Sequence, residues 1–344
     1  MNNPILVQAW RGGAVESFHR GAVAVVDARG AVRLSLGDVD RPIFPRSAVK
    51  ALQALPLVSS GAAERWGLTD AELAQACASH SGEPLHVATS AAMLAKAGLT
   101  PDALECGTHW PSLDTATRAL AASGQSPNAL HNNCSGKHAG FCCLGAWMAR
   151  VQGQEAAGFL RGYIEPEHPV MREITAALET ATGTRLADAP RGTDGCSIPT
   201  FGIPLRALAQ AFARFGTGQG LSPEHARAAQ RLRQAVAAAP FHVAGTGRFD
   251  TRVMERLGER LFCKVGAEGV YCAALPELGL GVAIKMDDGN TARAVEVAMA
   301  AVARALLPLD DADHAFLDGL ASVTLKNWNG REVGQLAATD FVPG

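Results

Sequence analysis

The apolar pattern changes character twice along the chain. Near the start, residues 5–9, 21–27 and 32–36 read as strands, and Ala28-Arg29-Gly30 is the turn of an antiparallel hairpin between the last two. From about residue 46 the spacing becomes helical. Thr69-Asp70-Ala71-Glu72 is a capping box that opens a helix toward Ala78, and a second helix over 84–97 ends at Gly98. Further helices are predicted over 139–149, 169–182, 205–215 and 223–239, the last capped by Ser222. Strands return at 261–264, 269–275 and 281–286. The turn Asp287-Asp288-Gly289-Asn290 leads into an alanine-rich helix over 291–307, and Asn329-Gly330 marks a hairpin over 325–333.

Strands at both ends with helices between predict an α/β (α+β) fold: one antiparallel sheet built from N- and C-terminal strands, flanked by helices, with an all-helical central insertion. The expected organisation is a single catalytic unit over 1–344, with a sheet-containing part (1–45 and 245–344) and a mainly helical part (46–244). The cleft would lie between them.

Composition narrows the function classes. The chain has 344 residues, 48% hydrophobic and 19% charged, which suits a folded globular protein with a sizeable core. Its net charge is -2 and it has no dense Lys/Arg run, so no nucleic-acid partner is expected. No apolar run is long enough to span a bilayer and the first residues lack a signal-peptide pattern, so a cytoplasmic protein without a membrane partner is the expectation. Eight cysteines in a chain this long do not make a disulfide framework, and no paired C-x-x-C motif points to a zinc ribbon. Most have apolar neighbours and read as small buried hydrophobes. Cys134 and Cys196 stand instead among polar and glycine residues.

Chemistry concentrates in three stretches. Phe44-Pro45-Arg46-Ser47-Ala48-Val49-Lys50 carries S-x-x-K at a helix start, which puts hydroxyl and amine on one face. An amine among apolar neighbours beside a serine is the Ser–Lys arrangement of acyl-transfer enzymes, although S-x-x-K alone also fits a surface lysine near a capping serine. Cys77-Ala78-Ser79-His80-Ser81-Gly82-Glu83 is a polar break between helices, and Lys264-Val265-Gly266 places K-x-G on a late strand. The decapeptide His131-Asn132-Asn133-Cys134-Ser135-Gly136-Lys137-His138-Ala139-Gly140 fails the P-loop pattern, because His131 replaces the first glycine and His138 the Ser/Thr. A thiol at a helix N-terminus there suits an anion or a metal.

Together these stretches resemble the L-asparaginase II family, whose fold is related to serine β-lactamases and glutaminases. The shared segments are V-E-S-F-H-R-G (15–21), F-P-R-S-A-V-K-A-L-Q (44–53), A-S-H-S-G-E (78–83), the decapeptide, D-G-C-S-I-P (194–199), A-G-T-G-R-F (244–249), Lys264 and M-D-D-G-N (286–290). The resemblance implies two Ser–Lys tandems, Ser47–Lys50 and Ser79–Lys264, and a zinc ion held by Cys134, Lys137 and Cys196. It also implies a homodimer, with L-asparagine as the small-molecule substrate. Substrate contacts are expected from Asp194, Glu83 or Asp288 to the ammonium, from Arg46 or Arg248 to the carboxylate, and from His80 and Asn133. Glutaminase or β-lactamase-like acyl-enzyme chemistry is the alternative, though no S-D-N triplet is present. A non-catalytic zinc protein would leave Ser47, Lys50, Ser79 and Lys264 without a purpose.

Overall fold

In the computed structural model, which describes residues 3–342, the termini do build one sheet. Its strands are β1 (Ile5–Arg11), β2 (Ala14–Asp27), β3 (Val32–Leu36), β4 (Phe262–Gly266), β5 (Val270–Leu275), β6 (Leu280–Met286), β7 (Ser322–Lys326) and β8 (Glu332–Ala338). They run antiparallel in the order β7-β8-β1-β2-β6-β5-β4, with β3 against the second half of β2. The fold is thus mixed α/β with one antiparallel main sheet.

β2 joins the two halves of that sheet. Its first half pairs with β1 (Phe18 opposite Gln8), and its second half takes β6 on one side and β3 on the other (Val23 opposite Ile284 and Leu36). The strand begins at Ala14, earlier than the expected residue 21, because Ala14–Phe18 are all exposed and so carry no apolar alternation. β4 and β5 are buried throughout, which is why they read as continuous apolar runs.

The helices used below are α1 (Asp70–Ala76), α2 (Pro84–Lys96), α3 (Ser135–Val151), α4 (Pro169–Thr182), α5 (Leu205–Thr217), α6 (Pro223–Ala238), α7 (Phe249–Leu257), α8 (Glu296–Leu306) and α9 (Asp311–Ala321). The capping box of Thr69 and Glu72 opens α1, and the Ser222 hydroxyl accepts from the His225 N–H at the start of α6. α5 lies directly on β6 and β2. It buries Leu208, Phe212 and Phe215, each worth roughly 1.5–3 kcal/mol of removed apolar surface. The close approach depends on Gly281, where a Cβ would collide with the Ala209 carbonyl oxygen.

Two expectations need correction, and one helix was missed. The central insertion is not all-helical: Pro42–Ile43 pairs with Ile203–Pro204, and Arg191–Thr193 forms a hairpin with Pro199–Phe201. Neither pair has the length for a periodic signal. The predicted helix over 291–307 begins with a π turn, Thr291–Val295, before α8. α9, capped by Asp310, was not predicted, since its sequence interleaves acidic and apolar residues. Among the described residues no helix is long and apolar enough to cross a membrane.

Candidate active site

The chain reaches Ser47 through a distorted turn. Arg46 has φ of 52°, a left-handed conformation that costs a side chain with a Cβ of order 1 kcal/mol or more. An ion pair of 2.7 Å from Arg46 Nε to Asp194 Oδ1 holds it there. The short 3₁₀ turn Arg46–Val49 then leaves Ser47 half-buried, while Lys50 points inward and is completely buried. Three acceptors occupy the donor positions of the Lys50 amine: the Ala78 carbonyl at 2.7 Å, the Ser79 hydroxyl at 2.8 Å and the Cys134 thiol at 3.1 Å.

Ser79 enters from the loop after α1, fixed by its N–H donating to the Val243 carbonyl at 2.9 Å. Lys264 comes from β4, the edge strand on that side of the sheet. Its Nζ donates to the Val265 carbonyl at 2.8 Å and lies 4.0 Å from Asp250. Burial pushes this amine down to about 8, against the opposing pull of Asp250. The expected tandems are therefore joined differently. Lys50 bonds Ser79, and among the described residues no hydrogen bond links Ser47 to Lys50 or Ser79 to Lys264.

β4 and the serine turn touch at Gly266, where a Cβ would come within 2.5 Å of the Pro45 carbonyl oxygen. Gly266→Ala is expected to push the two apart, lowering kcat by about tenfold to a hundredfold at a stability cost of about 1–3 kcal/mol. Steady-state kinetics beside a thermal melt check this, and wild-type kcat in the variant would contradict it.

The three residues implied as metal ligands converge. Lys137 Nζ lies 2.9 Å from Cys196 Sγ, and all three side chains are buried. Cys134 sits at the N-terminal cap of α3. A hydrogen bond from the Cys196 thiol, with Lys50 and Lys137 nearby, holds Cys134 well below the ordinary thiol range despite burial. The same bond, with burial, pushes Cys196 up. Burial disfavours the Lys137 ammonium, but the two sulfurs outweigh it and raise the amine. Two sulfurs and an amine, in a buried pocket at a helix end, fit three positions of a tetrahedral zinc, provided the amine gives up its proton. Among the described residues no three His, Cys, Asp or Glu side chains cluster in this way, so a metal here depends on Lys137.

The substrate candidates divide. Arg46 and Asp194 stand together as a pair of opposite charges; burial opposes the Asp194 carboxylate, but Lys137 and Arg46 hold it below its usual range. The side chains of Asn133 and Arg248 make no hydrogen bond among the described residues and are free to meet a ligand. His80 is occupied: Nε2 meets the Ser135 hydroxyl at 2.9 Å, Nδ1 accepts from the Gly82 N–H at 3.1 Å, and the ring stacks on His86 at 4.7 Å. Burial pushes it well below the usual histidine range. Glu83 accepts from the Ser81 hydroxyl at 2.6 Å and from the N–H and hydroxyl of Thr246 at 2.9 and 2.6 Å. Its carboxylate thus ties the 79–83 loop to the 245–248 loop. Asp288 is engaged by His19 at 2.5 Å, at the turn after β6. Two acidic groups went unnoticed in the sequence: Asp250 beside Lys264, and Glu296 near Asp250. An aspartate in the first turn of a helix reads as ordinary capping, so no sequence signal marks it.

The sequence model of the L-asparaginase II family matches residues 7–338. No curated protein matches the chain. Among solved structures, a β-lactamase from Mycobacterium bovis is similar at 15% identity and a TM-score of 0.37, over 82% of this chain and 93% of that one. A D-alanine carboxypeptidase from Burkholderia cenocepacia is similar at 14% identity and a TM-score of 0.32, over 79% and 88%.

Proposed function

The chain belongs to the L-asparaginase II family and is an amidohydrolase, and on that premise we propose that it hydrolyses L-asparagine to L-aspartate and ammonia through a serine ester. What carries the proposal is the buried Lys50 amine, bonded to the Ser79 hydroxyl at 2.8 Å and one turn along the chain from Ser47. Ser47, half-exposed at the turn, attacks the side-chain amide carbon. As the Oγ–C bond forms, its proton passes to a lysine amine in its neutral form. The C–N bond then breaks with a proton delivered to nitrogen, because an amide anion is too poor a leaving group. Water attacks the β-aspartyl ester, aspartate departs and the serine recovers its proton. Lys50, between the two serines, and Lys264, across the turn, supply the acid and base.

Arg46 and Asp194 match the carboxylate and ammonium of an amino-acid substrate. Cys134, Lys137 and Cys196 would hold zinc, which when bound supplies a fixed positive centre beside that pair. The exchanged assignment, with Ser79 as nucleophile and Lys50 as its base, is favoured by the existing hydrogen bond. Mass mapping of the ester-bearing serine after rapid quenching separates the two.

Ammonia release from asparagine, glutamine and a β-lactam, with and without chelator, tests the reaction. Asparagine turnover without β-lactam turnover is expected, and β-lactam consumption without ammonia from asparagine overturns the reading. A pH dependence follows from Lys264. With its amine depressed from 10.5 to about 8, the neutral fraction grows through pH 8, so kcat/KM should rise between about pH 7 and 9. A profile flat over that range would remove Lys264 from the rate-limiting proton transfers.

A further inference from the structure

Behind Lys264 lies a carboxylate to which neither the motifs nor the proposed reaction gives a role. Asp250 is fully buried in the first turn of α7. Its Oδ1 accepts from the Val265 N–H at 3.0 Å and lies 4.0 Å from Lys264 Nζ, while its Oδ2 has no hydrogen-bond partner. A buried carboxylate oxygen left without a donor costs about 1–3 kcal/mol. A nearby amine able to turn toward it is therefore the natural partner.

We propose that Asp250 is a positioning residue for Lys264: it anchors β4 through Val265 and receives the Lys264 ammonium when that lysine carries the serine's proton. The inference rests on Lys264 taking part in the reaction proposed above. In the resting arrangement Lys264 donates to the Val265 carbonyl, on the strand that Asp250 anchors. When Nζ takes the serine proton, the ammonium turns to the carboxylate. It turns back to hand that proton to the departing nitrogen as the C–N bond breaks.

The surroundings leave Asp250 as the anion for this task. Lys264 faces Asp250, Lys50, Arg248 and Cys134, together with the thiols of Cys77 and Cys272. Burial raises those last two thiols, which keeps them uncharged. Asp250 itself faces Lys264, Cys263, Tyr271 and Glu296. Burial, then the charge of Asp250, pushes the Glu296 carboxyl up to about 7, so it is partly neutral where the enzyme would work. Cys263 and Tyr271 are raised by burial as well.

Asp250→Asn keeps an acceptor for the Val265 N–H and removes the charge. In the full chain, asparagine hydrolysis should retain its KM within about twofold and lose about tenfold or more in kcat. The midpoint of the alkaline rise should move down by about one unit or more, because the ammonium loses its anion. An active variant with an unmoved midpoint overturns the proposal. If the variant does not fold, thermal melts of Lys264→Met with and without Asp250→Asn decide. Lys264→Met strands a buried charge and should lower Tm, and adding Asp250→Asn should raise it again; a further fall overturns the pairing. Should wild type release no ammonia from asparagine, the reaction itself has been misassigned; should Lys264→Met keep full activity, Lys264 has no part in it and the premise of the pairing fails. Both outcomes are distinct from an active enzyme indifferent to Asp250.

Discussion

Ser47→Ala is expected to lower asparagine turnover by about a thousandfold or more with an unchanged melting temperature, since this half-exposed hydroxyl makes no hydrogen bond among the described residues. Lys50→Ala should lose as much activity and also stability. It would leave the Ala78 carbonyl, the Ser79 hydroxyl and the Cys134 thiol without their donor, at about 1–3 kcal/mol for each buried orphan. Lys50→Arg is expected to be inactive too, because a guanidinium does not give up its proton. Kinetics together with calorimetry separate the two kinds of loss. Full activity in Ser47→Ala would leave only the exchanged assignment, with Ser79 as nucleophile, and full activity in Lys50→Ala would end the Ser–Lys proposal.

The second large effect concerns the metal. The purified protein should carry stoichiometric zinc, and Cys134→Ser, Cys196→Ser and Lys137→Ala should each bring it near zero. Asparagine affinity should fall roughly tenfold or more, with a smaller loss of turnover, because Ser47 stays in place and Lys50 keeps its Ala78 and Ser79 acceptors while the pocket wall loosens. The route is short. Cys196 sits in the hairpin tip beside Asp194, and Asp194 holds Arg46 at 2.7 Å. Metal analysis and steady-state kinetics on each variant provide the check. Wild type without zinc, and indifferent to added zinc, would reduce the trio to a sulfur–lysine cluster.

Much of the fold was legible because its elements carry their own punctuation. Thr69 and Glu72, Ser222, and Pro169 at the start of α4 mark helix ends by local hydrogen bonding that does not depend on the rest of the chain. The exposed half of β2 and the three-residue strands around Cys196 carry no periodicity, since only their partners make them strands. The same division runs through the site. Ser47 and Lys50 are close in sequence and announce themselves, whereas Lys137 beside Cys134 came only with the family resemblance, since zinc usually takes Cys, His or carboxylate. The bond from Lys50 to Ser79 and the placement of Asp250 under Lys264 cross between distant segments, and no spacing rule reaches that far. Glu83 and Asp288 show the converse: a charged side chain in a shared motif can be taken up by a loop tie or a histidine.

The pairing of β1 with β8 has a consequence for how the protein is made. Val7 lies opposite Ala338, so β1 leaves the ribosome more than 300 residues ahead of the strand it pairs with there, and waits for it. Until then β1 has a bare edge on that side, and a bare edge invites pairing with other nascent chains. Synthesis at roughly 5–20 residues per second makes that wait long compared with the formation of local helices. A slowed or truncated message should therefore yield aggregate rather than a weakly active enzyme.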